Sequence, residues 1–163
     1  MGGLIAAQTA RRAPELFNAL ALSGPAIAAD PKVATPFMKF LSGLVADWLP
    51  KLALEKLPPG LVSRNPDVTR AYELDPLGYH GGMQARWGNE MLKAMEDMQA
   101  HAGDISMPLL IQHGGDDGLC PIEGSRLLYE RASSTIKEMK EYPGLYHEIF
   151  NEPERDMVLR DLC

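Results

Sequence analysis

The sequence lacks the features that mark the more distinctive classes of protein. It has two cysteines in 163 residues, Cys120 and Cys163, too few for a disulfide framework and in no zinc-binding pattern, so we expect a reducing, cytoplasmic setting. Its 22 acidic against 16 basic residues argue against a nucleic-acid partner. It has no apolar run long enough for a membrane-spanning helix. With 45% hydrophobic residues, the chain is suited to one domain with a sizeable core.

Short apolar runs bounded by glycine and proline indicate buried strands. Residues 19–23 (ALALS) precede Gly24-Pro25, and residues 108–112 (PLLIQ) precede His113. A third strand is predicted over 135–142, although its apolar residues recur every three positions. Helices are predicted at 2–13, 66–74 (with Asn65 as N-cap), 82–101 and 122–132, and from 152 to the chain end.

The order of these elements predicts an α/β fold with a mostly parallel sheet. Residues 1–25 and 104–163 are assigned to its core, and the proline-rich residues 26–103 to a helical cap, because they are far longer than a crossover requires. Two helical faces in this insertion, Phe37 to Trp48 and Met83 to Met98, fit either core packing or an apolar surface for an acyl chain.

Two loops that follow strands carry residues suited to hydrolytic catalysis. One is HGGDDGLCP (residues 113–121) and the other is PGLYHEIFNEPE (residues 143–154). An Asp and a His on neighbouring loops could orient an imidazole as the base for a nucleophile. Each residue alone also fits a plain turn or a surface loop, so the pattern leaves both interpretations open. The stretch HEIFN lacks the second histidine of a zinc motif, and no metal site is predicted.

Several motifs together give a more specific expectation. They are MGGLIAAQTA, LSGPAI, SRNPDV, YELDPL, ARWGNEMLKAM, LLIQHGGDDGLCP and YPGLYHEIFNEPE. In them the sequence resembles the monoacylglycerol lipase and lysophospholipase family of serine hydrolases. The resemblance implies the C-terminal part of an α/β-hydrolase fold, with three parallel strands, flanking helices and a helical cap insertion. The family's nucleophile elbow reads G-H-S-M-G-G, so Met1-Gly2-Gly3 match its last three residues and the serine would stand immediately before Met1.

The resemblance also implies roles for particular residues. Asp117 would be the triad acid, His147 the general base, and the backbone N–H of Met1 an oxyanion donor in the intact enzyme; the chain contains no nucleophile. No cofactor is implied. The substrate would be a monoacylglycerol or a lysophospholipid-like ester, met at a membrane surface through the cap.

Without the serine, the resemblance implies a fragment that is inactive alone, from a truncated gene model or a genuinely short protein. The alternatives are a noncatalytic relic that binds a lipid or protein partner, and a related peptidase, esterase or acyltransferase.

Overall fold

The computed structural model describes residues 1–30, 43, 45–54 and 56–162. Three parallel strands form one sheet in the order β1-β2-β3, which confirms the predicted α/β architecture with flanking helices. The strands are β1 (Leu20–Ser23), β2 (Leu109–Gly114) and β3 (Lys137–Tyr142). The helices are α1 (Gly2–Arg12), α2 (Pro66–Leu74), α3 (Ala85–Ala100), α4 (Ile122–Arg131) and α5 (Arg155–Arg160). Short 3-10 turns occur at Pro14–Leu16, Pro59–Leu61, Ala102–Asp104 and Ile149–Asn151.

The register of the sheet brings the carboxyl ends of its strands to one edge. Ser23 of β1 pairs with Gln112 of β2, and Gly114 at the end of β2 pairs with Tyr142 at the end of β3. The loops after β2 and β3 therefore leave the sheet side by side. Parallel α/β sheets carry their ligand sites at this edge.

The core lies between the sheet and helices α1, α3 and α4. One face of α1 is buried through Leu4, Ala7 and Ala10, spaced at three residues as an amphipathic helix requires. These side chains belong to a single apolar cluster with residues of the strands and the other helices, including Leu22, Met98, Leu109, Ile111 and Leu128. Burial of this apolar surface is the main force that holds the helices on the sheet.

The two ends of helix α3 have different surroundings, which bears on both interpretations of its methionine stripe. Met98 has no exposed surface and lies in the core cluster, with Met91 and Met95 packed against it. Polar contacts fix the same end, since Gln8 of α1 donates to Asp97 at 3.0 Å and Arg11 pairs with Asp97. The other end faces a cavity, which Met83 and Trp87 line. The other predicted apolar face runs from Phe37 to Trp48. Its residues Phe37, Leu41 and Leu44 lie outside the described residues.

Several element boundaries differ from those predicted. Helix α3 begins at Ala85 instead of Gly82, because Gln84 is extended and forms a bridge with Ala53. Strand β2 continues through His113 to Gly114, and β3 begins at Lys137 instead of residue 135. Helix α5 covers only Arg155–Arg160, after the 3-10 turn at Ile149–Asn151. Within the described ranges, no helix combines the length and apolarity needed to cross a bilayer.

Candidate functional site

The loops after β2 and β3 bring Asp117 and His147 into direct contact. The Nδ1–H of His147 donates to Oδ2 of Asp117 at 2.8 Å. The Asp117 side chain has no exposed surface, whereas that of His147 is 25% exposed. Asp116 differs from its neighbour, since the residue is exposed and its backbone N–H donates to the carbonyl of Leu145. Of the two aspartates, the structure therefore brings Asp117 to the histidine.

The carboxylate of Asp117 is held at both oxygens. Oδ1 accepts from the backbone N–H groups of Leu119 at 2.8 Å and Cys120 at 2.9 Å. Oδ2 accepts from His147 and also lies 3.2 Å from Nε2 of His113. Burial raises the pKa of Asp117, but the hydrogen bonds from His113, His147 and Cys120 outweigh it and hold the pKa below the ordinary 3.8. The group is therefore an anion of fixed orientation at neutral pH.

His113 is a further member of the site that the sequence did not reveal. It has no exposed surface; its Nε2 faces Oδ2 of Asp117 and lies 3.0 Å from the carbonyl of Cys120. Because both of these groups are acceptors, Nε2 must carry a proton. Its Nδ1 lies 2.7 Å from Oγ of Ser125, whose hydroxyl can donate to it. His113 thus links α4 to the carboxylate. Its only sequence signal was its place directly after a predicted buried strand, four residues before the acid.

The environment of His147 favours its protonated form. Hydrogen bonding to Asp117, and then to Cys120, raises the pKa of His147 from 6.5 to about 10, against the opposing effect of burial. The imidazolium and the Asp117 carboxylate form an ion pair. The ring therefore holds a proton firmly at Nδ1, which leaves Nε2 as its second proton-exchanging atom.

Gly24, at the end of β1, gives the pair room. A Cβ at this position would lie 3.1 Å from Nδ1 of His147 and 3.3 Å from Oδ2 of Asp117. Its φ of +48° also lies in the region that side chains other than glycine rarely adopt. The backbone N–H of Gly24 donates to the carbonyl of Gln112 at 2.9 Å, which continues the ladder between β1 and β2. Glycine is therefore required here on two independent grounds.

Close backbone contact also aligns the two loops with each other. A Cβ on Gly114 would lie 2.2 Å from the carbonyl oxygen of Tyr146, too close for any other residue without a backbone shift. Gly115 donates its N–H to the carbonyl of Tyr142 at 2.7 Å. The acid loop and the His loop therefore pack main chain against main chain, which fixes the separation of their functional side chains.

The His loop is also tied to the segment before α2. Glu152 has a fully buried side chain and accepts from Arg64 twice, from its N–H at 2.8 Å and its Nε at 2.7 Å. Glu148 donates its backbone N–H to the carbonyl of Val62 at 2.8 Å. Val62 and Arg64, which precede β2 in the sequence, thus hold the loop that carries His147.

Met1 lies at the same edge of the sheet as the pair. The Cβ position of Gly3 lies 2.9 Å from Cβ of Pro25, the residue that follows Gly24. The carbonyl of Met1 accepts from the N–H of Leu4 at 3.0 Å, and its side chain is largely exposed. An oxyanion role for the Met1 backbone stays a prediction.

A cavity of about 620 Å³ lies between α2 and the start of α3. Its lining is largely apolar and aromatic and includes Leu57, Tyr72, Tyr79, Met83 and Trp87. A second hollow, of about 760 Å³, is lined by Ser63, Arg64, Thr69, Arg70 and Tyr146, the last being next to His147. The largely apolar space thus lies within residues 56–87, and the hollow that reaches the His loop at Tyr146 has a more polar lining.

Comparison with known proteins identifies the family of the chain. Residues 1–154 match the Hydrolase_4 family, described as serine aminopeptidase, S33. The chain belongs to this family. It is 39% identical over 162 residues to a monoacylglycerol lipase of Mycolicibacterium smegmatis, covering 99% of this chain and 58% of the relative. It is 33% identical over 152 residues to human monoglyceride lipase, covering 93% of this chain and 50% of the relative.

Solved structures agree with these relatives. The crystal structure of Paleococcus ferrophilus monoacylglycerol lipase matches with a TM-score of 0.87 and 33% identity, covering 98% of this chain and 62% of that one. The predicted resemblance to monoacylglycerol lipases within the α/β-hydrolases is thus confirmed. This Hydrolase_4 chain spans about half to three fifths of the length of the relatives it matches.

Proposed function

We propose that this chain supplies the acid, the base and the substrate-covering segment of a serine ester hydrolase that releases fatty acid from monoacylglycerols. The observation that carries the proposal is the 2.8 Å hydrogen bond from His147 to the buried carboxylate of Asp117. In a hydrolytic triad this bond fixes the tautomer of the imidazole and stabilises the imidazolium. The family to which the chain belongs, described as serine aminopeptidase, S33, supports this proposal.

The proposed chemistry depends on which ring nitrogen of His147 is available for proton transfer. Because Nδ1 of His147 is committed to Asp117, Nε2 of the neutral ring, once it has released its own proton, would accept the proton of a serine as its oxygen attacks the ester carbonyl. The same Nε2–H would then protonate the departing glycerol oxygen, and a water molecule would repeat the sequence on the acyl-enzyme. Asp117 stays ionised throughout. The oxyanion would be stabilised by backbone N–H donors, with that of Met1 as one of them.

The nucleophile is the part that this chain does not contribute in our proposal. Within the described residues, no serine hydroxyl forms a hydrogen bond with His147, and the buried Ser125 is committed to His113. The triad serine would occupy the position before Met1. Loss of the nucleophile from a triad costs about six orders of magnitude in turnover, so the chain alone should not hydrolyse esters.

The substrate part of the proposal rests on apolar surfaces of the segment between β1 and α3. The largely apolar cavity beside Trp87 and Tyr79 suits an acyl chain, and exposed apolar residues near it suit contact with a membrane surface. Lysophospholipids are a second substrate class to test, because the Bacillus subtilis phospholipase YtpA is 34% identical to this chain over 164 residues.

The decisive experiment restores a nucleophile. The part of the M. smegmatis relative that precedes its match to this chain is fused in front of Met1, and the fusion is assayed on a monoacylglycerol and a lysophospholipid. We expect turnover by the fusion and none by the chain alone. His147→Gln should lower kcat by about 10⁶-fold and Asp117→Asn by about 10⁴-fold, while Asp116→Asn should change it little. Turnover by the chain alone, or by the His147→Gln fusion, would contradict the proposal.

A noncatalytic relic that binds lipid is the second candidate, because the cavity does not depend on a nucleophile. Sequencing the codons upstream of Met1 separates the two. An in-frame Gly-x-Ser there supports the enzyme, whereas a stop codon with its own promoter supports the relic.

A further inference from the structure

Three different metal-binding side chains meet at the sheet edge. A thiol sulfur of Cys120, a ring nitrogen of His147 and a carboxylate oxygen of Asp117 all lie within 4.8 Å of one another. Cys120 follows Asp117 by three residues on the acid loop, and its sulfur lies within 4.8 Å of a ring nitrogen of His147. The thiol has no part in the hydrolytic chemistry proposed above.

The separations fit a small divalent cation. Zinc binds thiolate at about 2.3 Å and imidazole or carboxylate at about 2.0–2.2 Å, so its tetrahedral ligands stand about 3.2–3.8 Å apart. The three ligand atoms reach that geometry with shifts of about 1 Å or less from their observed positions. We propose that Asp117, Cys120 and His147 form a three-ligand site for a thiophilic divalent cation, with zinc as the representative ion.

The surroundings support the ligands as a metal site requires. Oδ1 of Asp117 is held by two backbone N–H groups, and His113 donates to the same carboxylate, so its orientation is set before any ion arrives. The thiolate and the carboxylate together supply two negative charges against the two positive charges of the cation. The exposed quarter of the His147 side chain provides an entry path and room for a water as fourth ligand.

Cation binding and proton transfer exclude each other at this site. Nδ1 of His147 faces Asp117, so a cation held by both residues takes the place of the proton they share. The bound ion would therefore inhibit hydrolysis. This consequence rests on the proposed function, but cation binding itself does not and can be measured on the chain alone.

The test is a titration of the reduced, chelator-treated chain with Co²⁺ and then Zn²⁺. Co²⁺ should give a thiolate charge-transfer absorption band that Zn²⁺ abolishes by displacement, with release of protons. Cys120→Ser should remove the band and weaken Zn²⁺ binding by at least about tenfold. Cys163→Ser is the matched control and should leave both unchanged.

Two further variants assign the other ligands. His147→Gln should weaken Zn²⁺ binding by at least about tenfold, whereas His80→Gln, at an exposed histidine, should not. Asp117→Asn should do the same, with Asp116→Asn as its control. Thermal unfolding confirms that each variant is folded before it is titrated. Unchanged Zn²⁺ affinity in Cys120→Ser, or loss of the band in Cys163→Ser, would overturn the site whether or not the fused protein hydrolyses esters.

Discussion

Side-chain burial differs between two regions of the molecule, namely the loops at the strand ends and the segment that connects β1 to α3. At the strand ends, the side chains of Asp117 and His113 are fully buried, and in the part of the chain that the structure describes every buried side-chain nitrogen and oxygen atom has a hydrogen-bond partner. In the connecting segment (residues 45–54 and 56–84), large apolar side chains face solvent. Trp48 is 83% exposed and Leu77 94% exposed; Leu49, Leu52, Leu54, Leu57, Leu74 and Tyr79 are exposed as well.

The contrast matches the two structural requirements of the function proposed above. Proton transfer needs donor and acceptor atoms placed to within a fraction of an ångström, which a bonded and buried network provides. Recognition of a flexible acyl chain or a lipid surface needs apolar area of adaptable shape instead. Substitutions in the buried network or in the core should therefore lower the free energy of unfolding strongly. Substitutions in the connecting segment should lower it only slightly.

The largest stability effect that we predict compares the buried end of α3 with the cavity wall just before the helix begins. Met98→Ala removes a fully buried side chain from the core cluster and should lower the free energy of unfolding by about 2–5 kcal/mol. Met83→Ala, at a half-buried position on the cavity wall, should cost less than about 1 kcal/mol. Urea denaturation of both variants measures the difference. Equal losses would place the cavity wall in the same packed unit as the core.

A pH effect should follow from the ion pair. Because the pKa of His147 is raised from 6.5 to about 10, its stabilising contribution is complete below pH 6.5 and is lost as the pH rises towards 10. The lowered pKa of Asp117 acts in the opposite range, since its contribution is lost only as the pH falls below 3.8.

Thermal unfolding midpoints across the alkaline range should therefore fall, and the fall should be smaller in Asp117→Asn. Hydrogen exchange should show the loss first in the two loops and later in α2. The same alkaline slope in the wild-type chain and in Asp117→Asn would show that other groups are responsible.

A smaller effect is expected from the backbone at the end of β1. Gly24→Ala places a methyl group against His147 and Asp117 at a positive φ, and should cost about 1–3 kcal/mol of unfolding free energy. Gly60→Ala is the matched change in the connecting segment, where an added Cβ would meet no atom within 4 Å. It should change the stability by less than about 0.5 kcal/mol. A neutral Gly24→Ala would mean that the loops can shift apart freely.

The smallest effect concerns a single hydroxyl. Ser125→Ala leaves Nδ1 of buried His113 without its donor, at a cost of about 1–2 kcal/mol. Thr69→Val in α2 removes a hydroxyl that donates to the carbonyl of Ser63, and should cost less than about 0.5 kcal/mol because the group is partly exposed. NMR of the imidazole nitrogens would show whether His113 changes tautomer. An unchanged tautomer with unchanged stability would remove Ser125 from the network.

Local sequence signals predicted the elements of this fold well where a residue has a single structural role. Asn65 caps α2 through its side chain, which accepts from the N–H of Asp67 at 3.1 Å, and Pro66 opens the helix. The apolar runs before Gly24 and His113 became neighbouring parallel strands. The start of α3 was missed because Gln84 pairs with Ala53, a contact between residues 31 positions apart that no local pattern encodes.

The site was predictable only in part, for the same reason. The family motif selected Asp117 over Asp116, and the geometry agrees with that choice, since only Asp117 contacts His147. His113 was not singled out, because a histidine in a buried strand has no periodicity that reveals its partners. Its role depends on Ser125 and Asp117, which approach it only when α4 and the acid loop fold back onto β2.

The pairing of Arg64 with Glu152 limits how the connecting segment can move. Lifting Arg64 away would leave a fully buried carboxylate without its cation, which typically costs about 3–5 kcal/mol. A displacement of the connecting segment that keeps this ion pair must therefore leave Arg64 in place. Because Glu152 lies five residues after His147, the contact that anchors Arg64 also holds the loop that carries His147.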